Sequence, residues 1–229
     1  DSTKEEFFAA ENIFLARGMA TFSLDGPGQG GTLRRHKIAT RYDSEVPIGK
    51  CIDWLEKRDD VDTRRIAVCG SSMGGYYAAR AACYEHRLAA AISHGAIWSV
   101  HDMWGTKGDD FGLAMHIRWV FGAKSMREAH ALMKPFTLQG HLEHMRCPYL
   151  VLHGGHDVLT VTAARSTYDY AKAHGVDATL RVLEPEETGA EHCQHDNPTI
   201  GQEVLADWLA DRFGIDQRAV LKTSINPFV

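Results

Sequence analysis

The sequence predicts an α/β fold in which a mostly parallel β-sheet is covered by helices on both faces. Short runs that are apolar throughout alternate along the chain with amphipathic helical segments. Strands that are apolar at every position are typical of a sheet buried on both faces. Right-handed crossovers then place the carboxyl ends of all the strands along one edge, where functional side chains gather. The chain has 229 residues, enough for one large domain with a substantial core.

The elements follow one another in a regular order. Five strands are predicted, at residues 19–24, 65–69, 88–93, 149–153 and 179–183. A Ser/Thr cap followed by Glu predicts a first helix that Gly18 ends. Further helices are predicted at residues 46–57, 76–86, 163–174 and 204–213. No internal repeat or low-complexity linker interrupts this pattern.

Residues 97–146 break the alternation. An insertion of roughly fifty residues is longer than a crossover between two strands requires. It is rich in aromatic residues, among them Trp98, Trp104 and Trp119, and it is helix-prone from about Leu113. We expect a helical lid over a substrate pocket lined by these tryptophans. The alternative is a satellite hydrophobic cluster.

Composition excludes several classes of protein. With 25 Lys+Arg against 30 Asp+Glu the formal charge is −5, and no basic block is present, which argues against nucleic acid as a partner. No apolar run approaches the ~20 residues that span a bilayer. The five cysteines are scattered without a Cys-x-x-Cys pair, which favours a reducing, cytoplasmic compartment over a disulfide framework.

The sequence Gly70-Ser71-Ser72-Met73-Gly74 fits the G-x-S-x-G pattern of a nucleophilic serine. It lies between a predicted strand and a predicted helix, where a tight turn leaves little space for flanking side chains. Ser72 is therefore the predicted nucleophile, and the Met73 N–H at the helix start is the predicted oxyanion donor. Ser71 lacks a glycine two residues before it. The alternative is a plain glycine-rich turn with a capping serine.

A nucleophilic serine needs a base and a residue that orients the base. Asp157 ends a glycine turn after the fourth predicted strand and is the expected acid, whereas Asp169 and Asp177 lie in or after the next helix. His192 is chosen as base over His195, because it lies closer to the last strand. The alternative for Asp157 is an Asx-turn role, and the alternative for either histidine is a solvated position in the loop.

We expect neither a metal nor a cofactor. Histidines recur three residues apart at 141 and 144, 153 and 156, and 192 and 195. None of these pairs has zinc-site spacing, and we expect most to be surface or supporting residues. The glycine-rich segment 25–31 lacks a Walker lysine and the G-x-G-x-x-G register. A turn that brings the backbone close to the nucleophile loop explains it better than a phosphate site.

These motifs resemble the α/β-hydrolase superfamily. More narrowly, the strings at residues 1–6, 25–30 and 70–77 are similar to the 2,6-dihydroxypseudooxynicotine hydrolase group and related esterase-like proteins. The resemblance runs over nearly the whole chain and implies a triad of Ser72, Asp157 and His192 acting on a small molecule. Some members cleave a carbon–carbon bond next to a ketone on an aromatic ring. A homodimer is implied by the resemblance alone.

Two departures from that group concern the specific reaction. The resemblance implies early strands and a second oxyanion donor upstream of Asp1, so residues 1–229 are expected to be a catalytic domain entered after those strands. It also implies a glutamate in the lid, and no glutamate lies between Trp98 and Met126. Three functions therefore stay open: a carbon–carbon bond hydrolase of an acylated aromatic or 1,3-diketone, a carboxylesterase, and a non-catalytic binding protein of the same fold.

Overall fold

A parallel sheet forms the centre of the molecule. The computed structural model describes residues 2–157 and 161–223. Within them the sheet has four strands, which are β1 (Ala67–Ser71), β2 (Ala90–His94), β3 (Tyr149–Gly154) and β4 (Ala178–Leu183). They pair in the order β1-β2-β3-β4, and every pair is parallel. This confirms the predicted parallel sheet and places the carboxyl ends of all four strands on one edge.

Helices precede, connect and follow the strands. The α-helices are α1 (Phe8–Leu15), α2 (Gly30–His36), α3 (Glu45–Leu55), α4 (Met73–Tyr84), α5 (Val100–Trp104), α6 (Ala114–Phe121), α7 (Met126–Met133), α8 (Val161–Ala173), α9 (Pro198–Arg212) and α10 (Gln217–Thr223). Short 3-10 turns lie at Lys4–Phe7, Leu142–His144, Pro185–Glu187 and His192–Gln194. The predicted helices are present with shifted ends, whereas α2 and α10 were not predicted. Asp1, part of the predicted first cap, lies outside the described residues.

Strand β3 shows why both faces of the sheet are covered. Tyr149 and Val151 point into the core on one face, together with residues of α4, α6, α7 and α8. Leu150 and Leu152 point into the core on the other face, together with residues of α9. All four side chains are essentially buried, as the period-two alternation of a strand requires when helices lie on both sides.

The predicted strand at residues 19–24 is absent. Phe22 and Leu24 are 50% and 39% exposed, and the Phe22 ring packs on Trp54 at a centroid distance of 5.5 Å. The Met19 N–H donates to the Phe14 carbonyl instead of to a neighbouring strand. An apolar segment becomes a strand only when another strand accepts its backbone hydrogen bonds, and within the described residues none pairs with this one.

The region 97–146 is helical, and it belongs to the main core. Ile117, Phe121 and Met133 from α6 and α7 pack in the same cluster as Tyr149 of the sheet. That arrangement is more than a satellite cluster, because the segment shares its apolar core with β3. Its action as a lid stays a prediction.

The glycine-rich segment 25–31 makes close contacts at Gly28 and Gly31. A Cβ on Gly28 would lie 2.9 Å from the Thr40 Cα, and the Gly31 N–H donates to the Asp25 carboxylate at 2.9 Å. The tight contacts of these two glycines are therefore with Thr40 and with the Asp25 carboxylate, and a close approach of the segment to the nucleophile loop stays a prediction.

The turn from β1 to α4 is sterically demanding. Ser72 has φ 56° and ψ −119°, a backbone conformation that residues other than glycine rarely adopt. A Cβ on Gly70 would lie 2.1 Å from the Gly74 carbonyl oxygen, and one on Gly75 would lie 2.8 Å from the Gly95 carbonyl oxygen. A Cβ on Gly74 would meet nothing within 4 Å. Local sterics thus require glycine at positions 70 and 75, but not at the final glycine of the G-x-S-x-G pattern.

This difference predicts opposite outcomes for two alanine variants. Gly70→Ala is expected to destabilise the protein by several kcal/mol or to prevent folding, because rigid backbone blocks the new methyl group. Gly74→Ala, the matched control, is expected to change the free energy of unfolding by about 1 kcal/mol or less. Urea unfolding followed by circular dichroism measures both, and equal destabilisation by the two substitutions would contradict the described geometry.

Candidate active site

Three loops meet at the carboxyl edge of the sheet. Ser72 directly follows β1, Asp157 lies three residues beyond β3, and His192 opens the 3-10 turn in the loop after β4. In a parallel sheet these strand ends share one edge, so residues far apart in sequence come together. The Gly154 position makes the approach close, because a Cβ there would lie 2.2 Å from the Ala190 carbonyl oxygen.

A hydrogen-bonded chain connects the three predicted residues. His192 Nε2 lies 2.9 Å from Ser72 Oγ, and His192 Nδ1 is hydrogen-bonded to Asp157 Oδ2. A carboxylate only accepts, so His192 Nδ1–H is the donor to Asp157. In the neutral ring Nε2 then carries no proton and accepts from the Ser72 hydroxyl, which is the protonation state that a general base requires.

Burial differs between the members of this chain. Asp157 is only 8% exposed, whereas the His192 side chain is 39% exposed and so faces solvent on one side. The hydrogen bond to Asp157, with a smaller contribution from the Cys193 thiol, raises the pKa of His192 above its ordinary value of 6.5, although burial opposes the shift. The imidazolium is therefore the favoured form over a wider pH range than for a free histidine.

His153 also contacts Asp157. It is completely buried at the end of β3, and its Nδ1 accepts the Ala96 N–H at 3.1 Å. The proton of the neutral ring must then be on Nε2, which lies 3.3 Å from Asp157 Oδ2. The sequence reasoning grouped His153 with surface or supporting residues. Its place in a strand that is otherwise apolar was the signal for a buried, partnered histidine.

Asp196 organises the loop that carries His192. Its carboxylate accepts the backbone N–H groups of Gly189, Ala190 and Glu191 at 2.7, 3.1 and 3.1 Å. Three such bonds fix the backbone just before His192, because a carboxylate replaces the acceptors that an irregular loop lacks. Asp196 is not among the site residues that the sequence predicts.

Met73 is the first residue of α4. The first N–H groups of an α-helix have no acceptor within the helix, and they carry the positive end of its dipole. The Gly75 N–H closes the turn by donating to the Ser72 carbonyl at 2.8 Å. The assignment of the Met73 N–H as an oxyanion donor stays a prediction.

The three predicted pocket tryptophans have different surroundings. Trp98 packs on Tyr170 at a centroid distance of 5.0 Å, and Trp104 packs against the main core. Trp119 is 40% exposed, and the Arg34 guanidinium lies over its ring at 5.2 Å. Their role in binding a substrate stays a prediction.

Other features of the described residues bear on class. All five cysteines are free. No group of three or more His, Cys, Asp or Glu side chains within residues 2–157 and 161–223 is arranged to hold a metal ion. In the same part of the chain, no helix combines the length and the apolar character needed to cross a bilayer.

Comparison with known proteins gives the class. Residues 6–215 match the sequence model described as the prolyl oligopeptidase family, and the chain belongs to that family. Its fold is that of the α/β-hydrolases, as its structural neighbours show.

Individual relatives narrow the comparison from the family to particular hydrolases. The chain is 32% identical over 217 residues to 2,6-dihydropseudooxynicotine hydrolase of Paenarthrobacter nicotinovorans, covering 92% of this chain and 55% of that protein. It is 32% identical over 188 residues to 20-hydroxy-prefusarin hydrolase of Gibberella moniliformis, covering 66% of this chain and 44% of that protein. The chain thus spans about half the length of these curated relatives.

Solved structures give the same relationship as the sequence comparison. The crystal structure of 2,6-dihydroxy-pseudo-oxynicotine hydrolase superposes with a TM-score of 0.78 at 32% identity, covering 91% of this chain and 57% of that one. AbyA5 superposes with a TM-score of 0.74 at 18% identity, covering 96% of this chain and 62% of that one, which shows the shared fold alone.

The pKa of His192 predicts a pH dependence. Because hydrogen bonding to Asp157 raises that pKa, the rate of any reaction that needs neutral His192 should increase with pH through a midpoint above 6.5. Asp157→Asn should lower the rate and move the midpoint down towards 6.5, because the stabilising carboxylate is lost. The contribution of the protonated His192–Asp157 pair to the stability of the fold is complete below pH 6.5, and it is lost as the pH rises through the raised pKa of His192. The midpoint is measured from the rate of Ser72 labelling by a fluorophosphonate at a series of pH values. An unchanged midpoint in Asp157→Asn would contradict the prediction.

Proposed function

We propose that this chain is the catalytic domain of a serine hydrolase, with Ser72 as nucleophile, His192 as general base and Asp157 as the residue that orients it. The observation that carries the proposal is the 2.9 Å contact between Ser72 Oγ and His192 Nε2, in a chain that ends on the buried Asp157 carboxylate. The strained backbone of Ser72 supports the proposal, because strained residues cluster at active sites, where the surrounding structure holds them.

The chemistry follows from these positions. His192 Nε2 takes the Ser72 proton while Oγ attacks a carbonyl carbon, and the Met73 N–H stabilises the resulting oxyanion. Collapse breaks the bond to the leaving group, which receives the proton from His192, and leaves an acyl ester on Ser72. Water then attacks the ester, gives its proton to His192, and releases a carboxylic acid as the proton returns to Ser72 Oγ. The sum is one water consumed for each bond cleaved.

The substrate class that we propose is an acylated aromatic ketone or a 1,3-diketone. The leaving group is then a carbon atom, and a hydroxylated ring or second carbonyl makes its negative charge tolerable before His192 protonates it. Similarity to 2,6-dihydropseudooxynicotine hydrolase supports this class. Trp98, Trp104 and Trp119 are the proposed ring-binding residues, and the region 97–146 is the proposed lid.

A carboxylesterase is the second candidate. The same three residues would cleave an ester, in which the leaving alkoxide needs no special stabilisation. The absence of glutamate between Trp98 and Met126 favours this candidate, because it leaves only Glu128 and Glu143, further along the proposed lid, as lid glutamates. The third candidate, a non-catalytic binding protein, is disfavoured because all three positions hold reactive residues in hydrogen-bonding contact.

Active-site labelling tests the proposed nucleophile. A fluorophosphonate should label the wild-type protein at Ser72, and Ser72→Ala should abolish labelling and lower kcat by about 10⁴-fold or more. Ser71→Ala is the matched control, since Ser71 is adjacent but bonds to His94 instead of His192. This variant should still be labelled at Ser72 to the full extent, with a rate constant within about threefold of wild type. Circular dichroism should show that Ser72→Ala is folded. Intact wild-type protein that resists labelling, or labelling that survives Ser72→Ala, would exclude the proposed nucleophile.

Product analysis separates the two hydrolase candidates. The protein is incubated with p-nitrophenyl esters and with 1,3-diketones, and the products are identified by mass spectrometry. The leading proposal predicts a carboxylic acid and a ketone from each diketone, with loss of both in Ser72→Ala. Robust ester turnover with no diketone cleavage would remove it in favour of the carboxylesterase.

A further inference from the structure

A polar chain that the proposed reaction does not use runs behind the Ser72 turn. Ser71 Oγ lies 2.9 Å from His94 Nδ1, and His94 Nε2 lies 2.6 Å from Gln194 Oε1. The amide oxygen only accepts, so Nε2 carries the ring proton and Nδ1 accepts from the Ser71 hydroxyl. This chain joins the residue before Ser72 to the residue two positions after His192.

The bridging histidine is neutral. Burial lowers the pKa of His94 to about 4, although the hydrogen bond to Gln194 opposes the shift. The groups around it are His153, His192 and His195, whose positive charge would also lower that pKa, and the uncharged Ser71 and Gln194. His94 therefore keeps one proton at neutral pH, which is the form that can donate to one neighbour and accept from the other.

The backbone on the Gln194 side is strained. Cys193 and Gln194 have φ values of 49° and 55°, in the left-handed region that favours glycine. Gln194 is completely buried, and a Cβ on Gly201 would lie 2.9 Å from its Oε1, so the side chain is closely packed. A loop in this conformation needs its surroundings to hold it.

The end of β2 lies between the two catalytic loops. The carbonyl of His94 accepts the Ser72 N–H at 2.7 Å and contacts Cys193 Sγ at 3.4 Å. A Cβ on Gly95 would lie 3.4 Å from His192 Cε1 and 3.5 Å from the Ser72 nitrogen. The main chain at the end of β2 therefore lies against both the Ser72 backbone and the His192 ring, and the side chain of His94 contacts both loops.

We propose that His94 and Gln194 are positioning residues that hold the His192 imidazole in register with the Ser72 hydroxyl. This inference rests on the proposed roles of Ser72 and His192. Neither His94 nor Gln194 touches the reacting atoms, so both act through the strained 192–194 turn. Without the His94–Gln194 bond, the turn can relax from its left-handed conformation, and His192 moves away from Ser72.

Two substitutions of Gln194 test the proposal. Gln194→Met removes the acceptor while keeping a side chain of similar length, and Gln194→Glu keeps an oxygen that accepts from His94. Thr167→Ala is the matched control, because Thr167 lies in α8 and is completely buried, with its hydroxyl donating to the Ala163 carbonyl at 2.7 Å. It removes a buried hydrogen bond that involves neither the Ser72 turn nor the His192 loop.

Two measurements are made on each purified protein. One is the rate constant and final extent of Ser72 labelling by a fluorophosphonate. The other is the downfield proton NMR signal of His192 Nδ1–H, assigned by its loss in Asp157→Asn. A purely structural residue would change the melting temperature and the fraction that labels. A positioning residue changes the rate constant of the folded protein and the NMR signal.

Gln194→Met is expected to slow labelling by about tenfold or more, with full final labelling and a shifted or broadened NMR signal. Gln194→Glu should restore the rate constant to within about threefold of wild type. Thr167→Ala should lower the melting temperature and leave both readouts unchanged. If Gln194→Met does not fold, Ser71→Ala breaks the other end of the chain and should slow labelling by about threefold.

An unchanged rate constant and NMR signal in folded Gln194→Met would overturn the proposal, as would equal slowing by Thr167→Ala. Should Gln194→Met not fold, an unchanged rate constant in Ser71→Ala would overturn it. Failure of the proposed function has a different signature, namely no labelling of the wild type at all. In that case the NMR signal still decides whether Gln194 positions His192.

Discussion

The hydrogen bond between Ser72 Oγ and His192 Nε2 is the interaction on which the rest of the site depends. It joins residues 120 positions apart in sequence, over 2.9 Å. Each side of it requires backbone to pass close to backbone, at Gly70 beneath the Ser72 turn and at Gly154 beneath the His192 loop. The parallel sheet makes this possible because it brings the ends of β1, β3 and β4 to one edge.

Around that bond the site is organised by groups that accept or donate without reacting. Asp157 receives His192 on one side and lies 3.3 Å from the buried His153 on the other. Asp196 accepts three backbone N–H groups of the loop before His192. Such contacts hold the imidazole ring in one orientation, and in the proposed reaction a base that is already in place loses little entropy when it acts. The order of the site therefore extends well beyond three side chains.

The differences between the predicted and observed elements have physical causes. Residues 19–24 have the composition of a strand, but a strand depends on a neighbour, and composition does not contain the neighbour. Gly74 completes the sequence pattern, yet its Cβ position is open, because the tight contact of the turn is made by Gly70 with the Gly74 backbone. The sequence does not distinguish a surface from a supporting role for His153, because its partners, Ala96 and Asp157, meet it only after the sheet has formed.

The sequence by itself determined the parallel α/β architecture, since apolar strands and amphipathic helices record local burial. It also pointed to Ser72, Asp157 and His192, because each follows a strand and all strand ends share an edge. Only the tertiary structure decided which contacts support them. These are the contact of His153 with Asp157, the hydrogen bonds from the loop backbone to the Asp196 carboxylate, and the Ser71–His94–Gln194 chain. Those contacts join separate loops, and no local pattern encodes a distance between residues that lie far apart along the chain.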